Sequence, residues 1–190
     1  NVINQIYSKK DVALVVNEWG LKFHLNLTRY LDTGLFIDHR KTREYIAKQV
    51  KGKRVLNLFS YTGSFSCYCL KGRASFVTSV DVNPTYSQWH HQNCELNKFS
   101  KRNYSICTAD VLQFLKSNKT KYDIIICDPP TFSQSKRKHV KRFHIQENAS
   151  QLLELCQTSL KHNGALLFST NYRKFKLDQS QAELGFHAKE

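Results

Sequence analysis

The residues with the clearest chemical potential are Asp128, Pro129 and Pro130, which follow an apolar run at 124–127. Four consecutive apolar residues are typical of a strand that is buried on both faces of a parallel sheet. Two prolines cannot donate to a strand ladder, so they end the strand and hold Asp128 extended. Its carboxylate would then project from the carboxyl end of a central strand, where open α/β sheets bind ligands. For the motif taken alone, an ordinary Asp-Pro turn is the alternative.

Two further aspartates follow predicted strands and are candidates for binding a nucleoside. Asp81 follows a predicted strand at 75–80, about 20 residues after the first βα turn, which is typical of a carboxylate that accepts hydrogen bonds from ribose hydroxyls. Asp110 follows a predicted strand at 104–108 and is placed to accept a hydrogen bond from an adenine amino group. Because a predicted helix begins at residue 111, capping of that helix is an equally good explanation for Asp110.

The turn between the first strand of the predicted sheet and its helix indicates which kind of nucleotide fits. A dinucleotide-binding fold needs G-x-G-x-x-G here, so that the backbone can approach a pyrophosphate at the helix N-terminus. This turn has one glycine and two bulky aromatic residues, and it therefore suits a nucleoside-type cofactor without phosphates. The candidate residues in it are Asn57, Phe59, Ser60, Tyr61, Thr62 and Gly63.

The charge balance is the most unusual property of the composition. The chain has 190 residues, 29 Lys and Arg against 15 Asp and Glu, and a formal net charge of +14. Such a surplus attracts polyanions, of which nucleic acid is the commonest. No apolar run approaches the roughly 20 residues that cross a bilayer, and the cysteines form no C-x-x-C pair. We therefore expect no membrane segment, no metal site and a cytoplasmic protein with reduced cysteines.

The N-terminal part of the chain predicts a β-hairpin and then a helix. Residues 12–27 alternate between apolar and polar types around the pair Trp19-Gly20, which is typical of a hairpin with one buried face. Asp38 is expected to cap the helix that follows, from residue 40 to about residue 50. Tyr45 and Ile46 would face inward on this helix.

From residue 53 onward, predicted strands and helices alternate five times. The last helix is expected to end at Asn163-Gly164, before a final strand at 165–170. This alternation predicts an α/β fold with a doubly wound, mostly parallel sheet. We therefore expect two parts, a hairpin extension with a cofactor-covering segment at 1–36 and a sheet domain at 37–190.

An adenosine cofactor without phosphates, on a basic α/β protein with Asp-Pro-Pro at a strand end, points to S-adenosylmethionine. Three stretches, at 30–40, 56–64 and 128–137, also resemble one family, the C-terminal half of the bifunctional 23S rRNA guanine methyltransferases (RlmKL). The resemblance implies a Rossmann-like class I methyltransferase that uses S-adenosylmethionine. It further implies that this half methylates guanine N7 of 23S rRNA, while a separate N-terminal half methylates guanine N2.

The resemblance also implies a role for each matching residue. Phe36, Asp38 and Arg40 would close over the cofactor, and the turn from Asn57 to Gly63 would cradle it. The resemblance implies that the ribose is bound by Asp81 with Val82 and Asn83, and the adenine by Asp110 with Val111. It also implies that the methyl-transfer face consists of Asp128, Pro129 and Pro130.

The chain departs from the layout of a full class I domain at both ends. A class I sheet ends in an antiparallel hairpin, and Glu190 comes too early to supply it. The chain also begins at Asn1. We therefore expect a piece of a longer protein in which the C-terminal hairpin is missing.

The residues after Pro130 are expected to contact RNA. The major groove of A-form RNA is too narrow for side chains, so the target base must be flipped out and stacked on an aromatic ring. Phe132 is the candidate ring, with packing into the core as its alternative. For the basic loop that follows, a solvated charged surface is the alternative to phosphate binding. The residues expected to contact RNA beside Phe132 are Ser133, Lys136, Arg137, Lys141 and Arg142.

Three other functions fit parts of the same pattern. An rRNA amino-group methyltransferase, acting on guanine N2 or adenine N6, also uses Asp-Pro-Pro followed by an aromatic residue. A cytosine C5 methyltransferase would need a cysteine nucleophile, and Cys127 is expected to point away from the site because it lies on a buried strand. A non-catalytic RNA-binding module with the same fold is the alternative from another class, and it would have no need to bind S-adenosylmethionine.

Replacing Lys136, Arg137, Lys141 and Arg142 together by alanine should flatten the salt dependence of RNA binding. Each side chain that neutralises a phosphate releases counterions, so losing four contacts would reduce the log–log slope of affinity against salt by roughly three. Titration of a labelled 23S rRNA fragment at several salt concentrations measures this slope. The affinity for S-adenosylmethionine should not change, and an unaltered salt slope would exclude the loop as the RNA contact.

Overall fold

The structure is a computed structural model that describes residues 13–28, 32–133 and 142–176. No helix in these ranges is both long enough and apolar enough to cross a bilayer. The helices are α1 (Arg40–Gln49), α2 (Ser64–Lys71), α3 (Pro84–Leu96), α4 (Val111–Ser117) and α5 (Ile145–Ser159). The strands are β1 (Ala13–Glu18), β2 (Leu21–Asn26), β3 (Arg54–Leu58), β4 (Phe76–Asp81), β5 (Tyr104–Thr108), β6 (Tyr122–Cys127), β7 (Phe132–Ser133), β8 (Phe143–His144) and β9 (Leu160–Phe168).

The predicted N-terminal hairpin is confirmed. Strands β1 and β2 are antiparallel and pair Glu18 with Leu21, so Trp19 and Gly20 form a two-residue turn. Both turn residues have positive φ, at 49° and 71°, which matches the right-handed twist of the two strands. The side chains of Leu21 and Phe23 are buried, and they attach one face of the hairpin to the rest of the protein.

The central sheet is parallel and is organised around β3. In the described residues its strand order is β5-β4-β3-β6-β9, with every neighbouring pair parallel. The chain runs outward from β3 through β4 to β5, and then returns to the other side of β3 as β6 and β9. Such a reversal creates the switch point at which open α/β sheets bind ligands, here between β3 and β6. The predicted Rossmann-like sheet is confirmed.

Two hydrophobic cores cover the two faces of the sheet. Helices α1, α2 and α3 pack with the hairpin on one face, and α4 and α5 pack on the other. Alternate side chains of β6 enter the two cores, so Ile124 and Ile126 lie in the first and Ile125 and Cys127 in the second. Cys127 is therefore packed with Cys156 of α5, as expected for a residue that is not a nucleophile of the site.

Helix α1 differs from its prediction in two details. Its N-cap residue is His39, and Asp38 instead accepts a hydrogen bond from the backbone nitrogen of His39 at 3.0 Å. Ile46 is buried as predicted, but Tyr45 is 60% exposed. The reason is the helical period, because the buried stripe runs at i, i+3 and i+4 from Arg43 and leaves Tyr45 outside it.

The last helix ends earlier than predicted. Helix α5 ends at Ser159, and β9 begins at Leu160 and includes the Asn163-Gly164 pair. The ladder with β6 skips from Leu160 to Ala165, so the residues between them form a bulge. Asn163 has a φ of 60°, the left-handed conformation that Asn adopts in turns. The Asn-Gly signal therefore marks a turn inside the strand and not the end of the helix.

A buried arginine connects the hairpin, the segment before α1, and α2. Arg43 is 1% exposed, and its Nη2 and Nε donate to Oε1 of Glu18 at 2.7 and 3.1 Å. Its Nη1 donates to the carbonyl oxygen of Phe36 at 2.8 Å. Tyr68 of α2 donates its hydroxyl to the same oxygen of Glu18 at 2.8 Å. The charges of Arg43 and Glu18 are thus compensated although water is excluded.

Replacing Arg43 by methionine should destabilise the fold strongly. Glu18 would remain as a buried charge without its partner, and breaking a buried pair from one side costs about 3–5 kcal/mol. Chemical denaturation of variant and wild type measures this difference in the free energy of unfolding. Lys48→Ala is the matched control, because the pair between Lys48 and Glu44 on the same helix is exposed and should contribute little. Equal stability of the two variants would contradict the role of Arg43.

Candidate active site

A cavity of about 890 Å³ opens at the carboxyl ends of the parallel strands, on both sides of the switch point. Its volume lies in the range of roughly 300–1,000 Å³ that is typical of ligand sites. Most of the residues that the sequence predicted for the site line this cavity. They are Phe36, Asp38, Asn57, Phe59, Ser60, Tyr61, Asp81, Val82, Asn83, Asp110, Val111, Asp128, Pro129, Pro130, Phe132 and Ser133.

The turn after β3 reaches the cavity with a strained backbone. Phe59 and Tyr61 have φ values of 53° and 48°, a left-handed conformation that is uncommon for bulky residues. Their rings pack on Phe143 and Tyr86, with centroid distances of 5.1 and 4.6 Å. The backbone nitrogen of Tyr61 donates to Oδ2 of Asp81 at 2.9 Å. Strain of this kind persists only where the surroundings impose it, and it concentrates at ligand sites.

Asp81 lies at the end of β4 and is 8% exposed. Beside the bond from Tyr61, its Oδ1 accepts a hydrogen bond from the backbone nitrogen of Asn83 at 2.8 Å. Burial raises the pKa of Asp81 above its ordinary value, and the two N–H groups partly oppose that shift. Each carboxylate oxygen has a further lone pair, so the side chain can still accept hydrogen bonds from a diol in the cavity.

Asp110 caps α4, and its position at the cavity also agrees with the alternative that it contacts a ligand. Its Oδ1 accepts a hydrogen bond from the backbone nitrogen of Gln113 at 2.9 Å, which caps α4. The same residue lines the cavity together with Val111. The cap orients the carboxylate at the edge of the sheet, so capping and ligand contact are compatible.

Three residues predicted to bind the cofactor do not line the cavity. Arg40 is exposed at the start of α1. Thr62 is buried and donates its hydroxyl to the carbonyl oxygen of Gly34 at 2.6 Å. Gly63 precedes α2 with a φ of 77°, and an added Cβ would lie 1.9 Å from the ring of His90. Thr62 and Gly63 thus shape the turn, because close packing with neighbouring elements leaves them no access to the cavity.

Asp128 belongs to a cluster of polar side chains from three parts of the chain. Ser169, which follows β9, donates its Oγ to Oδ1 of Asp128 at 2.6 Å. The Nε2 of His39, before α1, lies 3.4 Å from Oδ2. Hydrogen bonding to Asp128 raises the pKa of His39, and burial acts in the opposite direction. Ser169 is therefore hydrogen-bonded to one carboxylate oxygen of Asp128, and His39 faces the other at a longer distance.

Phe132 lies at the mouth of the cavity. Its side chain is 39% exposed, so it is not part of the core. The guanidinium carbon of Arg142 lies 4.7 Å from the centroid of its ring, a cation–π contact between β7 and the end of the basic loop. Lys136, Arg137 and Lys141, which the sequence predicted to bind RNA, lie outside the described residues. An aromatic face and a cation thus occur together at the entrance.

Several residues at the cavity were not predicted from the sequence. Ser169 follows a strand of the sheet, and this position could have predicted that it lines the site, because the carboxyl ends of the strands meet there. His39 and Arg43 carry no such signal, because they reach the cavity only through the packing of α1. In the part of the chain that the structure describes, no three His, Cys, Asp or Glu side chains are placed to hold a metal ion. The unpredicted polar residues at the cavity are Asp32, His39, Arg43, Ser64, Tyr86, Ser169, Thr170 and Asn171.

The sequence matches known proteins over most of its length. A family model described as S-adenosylmethionine-dependent methyltransferase matches residues 8–175. A relative from Shewanella oneidensis, named Ribosomal RNA large subunit methyltransferase K/L, is 47% identical over 174 residues, which is 92% of this chain and 24% of the relative. A protein of the same name from Shewanella sp. strain ANA-3 is 46% identical, over 92% of this chain and 25% of its own. This chain spans about a quarter of the length of these relatives.

Solved structures share the same architecture. A methyltransferase crystallised in complex with SAH superposes with a TM-score of 0.83 and 30% identity, over 96% of this chain and 49% of that chain. A methyltransferase from Streptococcus mutans gives a TM-score of 0.81 and 29% identity, over 96% and 48% of the two chains. A third, from Agrobacterium tumefaciens, has the same fold at a TM-score of 0.77 and 23% identity, over 85% and 54%.

Replacing Asp81 by alanine should weaken the binding of S-adenosylmethionine by on the order of 2 kcal/mol, because charge-assisted hydrogen bonds to the ribose would be lost. Isothermal titration calorimetry measures the affinity. Binding by the wild type should also weaken as the pH falls through the raised pKa of Asp81, since a protonated carboxyl is a poorer acceptor.

Asp123→Ala is the matched control for this experiment. Asp123 lies near the start of β6, at the opposite end of the strand from Asp128, and pairs with Lys161. Its replacement should leave cofactor affinity unchanged. An Asp81 variant that binds as tightly as the Asp123 variant would remove Asp81 from the site.

Proposed function

This chain belongs to the family of S-adenosylmethionine-dependent methyltransferases, and we propose that it methylates N7 of a guanine in 23S ribosomal RNA. S-adenosylmethionine is the cofactor of this family. The proposed enzyme is cytoplasmic. This domain would be one half of a bifunctional protein, as the resemblance of its motifs to the RlmKL proteins implies. The parts of the proposal concern the cofactor, the RNA and the acceptor atom, and each has its own support.

The residues of the cavity fit this cofactor. Asp81 retains lone pairs for ribose hydroxyls, and the turn after β3 has bulky residues where a pyrophosphate would need glycines. The hydroxyl of Ser60 is buried and finds no partner among the described residues, so it is available to a polar group of the cofactor. When bound, S-adenosylmethionine supplies an electrophilic methyl group on a positively charged sulfur. Asp81, the turn at 57–61 and Asp110 would hold it.

Ribosomal RNA as the substrate is supported by two independent observations. The relatives that share 46–47% of their aligned residues with this chain are named for large-subunit ribosomal RNA. The formal charge of +14 favours a polyanion, because cationic side chains neutralise phosphates and release counterions. Phe132 and Arg142 at the mouth of the cavity provide a stacking face and a cation for a flipped base and its phosphate.

The choice of N7 is carried by the resemblance of the motifs at 30–40, 56–64 and 128–137 to the RlmKL proteins. An exocyclic amine must lose a proton, and its lone pair becomes available only when a nearby acceptor takes the N–H hydrogen bond. Asp128 accepts a hydrogen bond from Ser169 on Oδ1 and faces His39 on Oδ2, and it keeps lone pairs for such an amine. Guanine N7 carries a lone pair and no proton, so it needs no such acceptor. The cluster is compatible with either nitrogen, and the product of the reaction distinguishes them.

Few protein groups are needed for transfer to N7. The chain must hold the base so that N7 lies in line with the sulfur–methyl bond, and positioning of this kind supplies most of the rate. Pro129 and Pro130 form a rigid edge beside the base, and Phe132 offers a ring on which it can stack. Methylation leaves a positive charge on the guanine ring. The negative charge of Asp128 would stabilise that charge as it develops.

The product tests the choice of N7. After incubation of 23S rRNA with the protein and methyl-labelled S-adenosylmethionine, borohydride followed by aniline should cut the RNA at the labelled nucleotide. The reason is that methylation at N7 weakens the glycosidic bond, whereas N2-methylguanine and N6-methyladenine are not cut. Label without cleavage would reject N7 and favour the amino-group alternative, and absence of label would favour the non-catalytic module.

A pair of variants on one strand provides the control for this assay. Asp128→Asn should slow methyl transfer by roughly 100-fold, because the developing positive charge loses its counter-charge. Asp123→Asn changes the same residue type at the other end of β6, where Lys161 pairs with it, and should leave the rate unchanged.

A further inference from the structure

We propose that His39 selects guanine by donating a hydrogen bond to the base oxygen O6 while N7 is methylated. This inference rests on the proposed function, because it names the residue that reads the base at the same site. It assigns His39 a specificity role that its position in the sequence, between the covering segment and α1, did not indicate.

The position of His39 is well determined by its surroundings. Its imidazole lines the cavity, and its side chain is 21% exposed. The ring packs against Phe65 at a centroid distance of 5.6 Å, and Nε2 faces Asp128. Its backbone follows Phe36, whose carbonyl oxygen is held by the buried Arg43. The imidazole is therefore presented to the cavity beside the carboxylate of the Asp-Pro-Pro edge.

The chemistry of guanine calls for a donor at this place. On the edge that carries N7, guanine presents two acceptors, N7 and O6, whereas adenine presents N7 and a donating amino group. When N7 is the reacting atom, O6 is the neighbouring group by which a protein can recognise guanine on that edge. An imidazolium is a donor at both nitrogens and rejects an amino group at the same position.

The contact between His39 and Asp128 leaves room for this role. The distance of 3.4 Å between Nε2 and Oδ2 is longer than the 2.7–3.2 Å of a good hydrogen bond, so the N–H can be shared with an incoming carbonyl oxygen. The hydrogen bond from Ser169 to Oδ1 of Asp128 can remain while His39 binds the base. The base would thus meet a donor directly beside the negative charge that offsets its new positive charge.

The groups that face His39 favour its protonated form. Asp128 raises its pKa by hydrogen bonding and by its charge, and Asp38 raises it by its charge. Burial and the positive charge of Arg43 act in the opposite direction, and the net pKa lies above the ordinary value of 6.5. Below this raised pKa both ring nitrogens donate. Above it the neutral ring keeps a single N–H, and Nε2 donates in only one of the two tautomers, so the donor at Nε2 weakens as the pH rises through the pKa.

An internal competition between two bases tests the role of His39. The probe is 23S rRNA transcribed with a small share of 6-thioguanosine, which keeps N7 but replaces O6 by sulfur, a weak acceptor. Mass spectrometry of the nucleosides gives the ratio of 7-methylguanosine to 7-methyl-6-thioguanosine from one reaction. Wild type at pH 6 should prefer guanosine by roughly 10- to 100-fold, the range for a hydrogen bond to a charged group. The preference should fall as the pH rises.

Two variants separate hydrogen bonding from a structural effect. His39→Ala should lose the preference at every pH. His39→Gln should restore it without pH dependence, because the amide is a donor that does not titrate. His162→Ala, which removes an exposed histidine in the bulge of β9, should behave as wild type. Calorimetry with S-adenosylmethionine verifies that each variant keeps its cofactor site.

The outcomes distinguish this inference from the function on which it rests. If wild type forms no 7-methylguanosine, the proposed function is wrong. If wild type forms it and His39→Ala keeps both the preference and its pH dependence, His39 does not read the base. Should the alanine variant fail to fold, the glutamine variant decides, since a preference that still titrates in His39→Gln would also overturn the assignment.

Discussion

The buried guanidinium of Arg43 connects parts of the chain that are distant in sequence, and the arrangement of the site depends on it. A charge without water must be paired, so Glu18 of the hairpin, the Phe36 carbonyl and Tyr68 of α2 are drawn to one point. The carbonyl bond holds the backbone at Phe36, at the start of the segment from which Phe36, Asp38 and His39 line the cavity. His39, three residues after Phe36, meets Asp128.

A second set of contacts, made by α3, supports the turn after β3. Asn93 of α3 donates its Nδ2 to the carbonyl oxygen of Thr62 at 2.9 Å, and its Oδ1 accepts from the backbone nitrogen of His24 at 3.0 Å. Gly63 lies against the ring of His90 on the same helix. The strained turn after β3 is therefore held by α3 on one side and by Asp81 on the other. Rigid support of this kind suits a reaction in which positioning supplies most of the rate.

Much of the fold could be predicted because its signals are local. Strands of the parallel sheet are continuous apolar runs, and the residues Gly20 and Pro84 mark element boundaries through their own backbone preferences. The predictions were wrong where the same local sequence pattern is compatible with two structures. Asn163-Gly164 makes a turn in a bulge as well as at a helix end, and Tyr45 lies beside the buried stripe of α1.

The sequence by itself determined the parallel sheet and the residues at the strand ends, among them Asp81, Asp110 and Asp128. These follow from periodicity and from the rule that carboxyl ends of parallel strands share one edge. Only the tertiary structure decided that His39 and Ser169 meet Asp128, that Arg43 and not Arg40 lines the cavity, and that Thr62 and Gly63 pack away from it. The physical reason is that side-chain pairs between distant elements depend on how helices pack on the sheet, and that packing is set by the whole core and not by the residues around any one position.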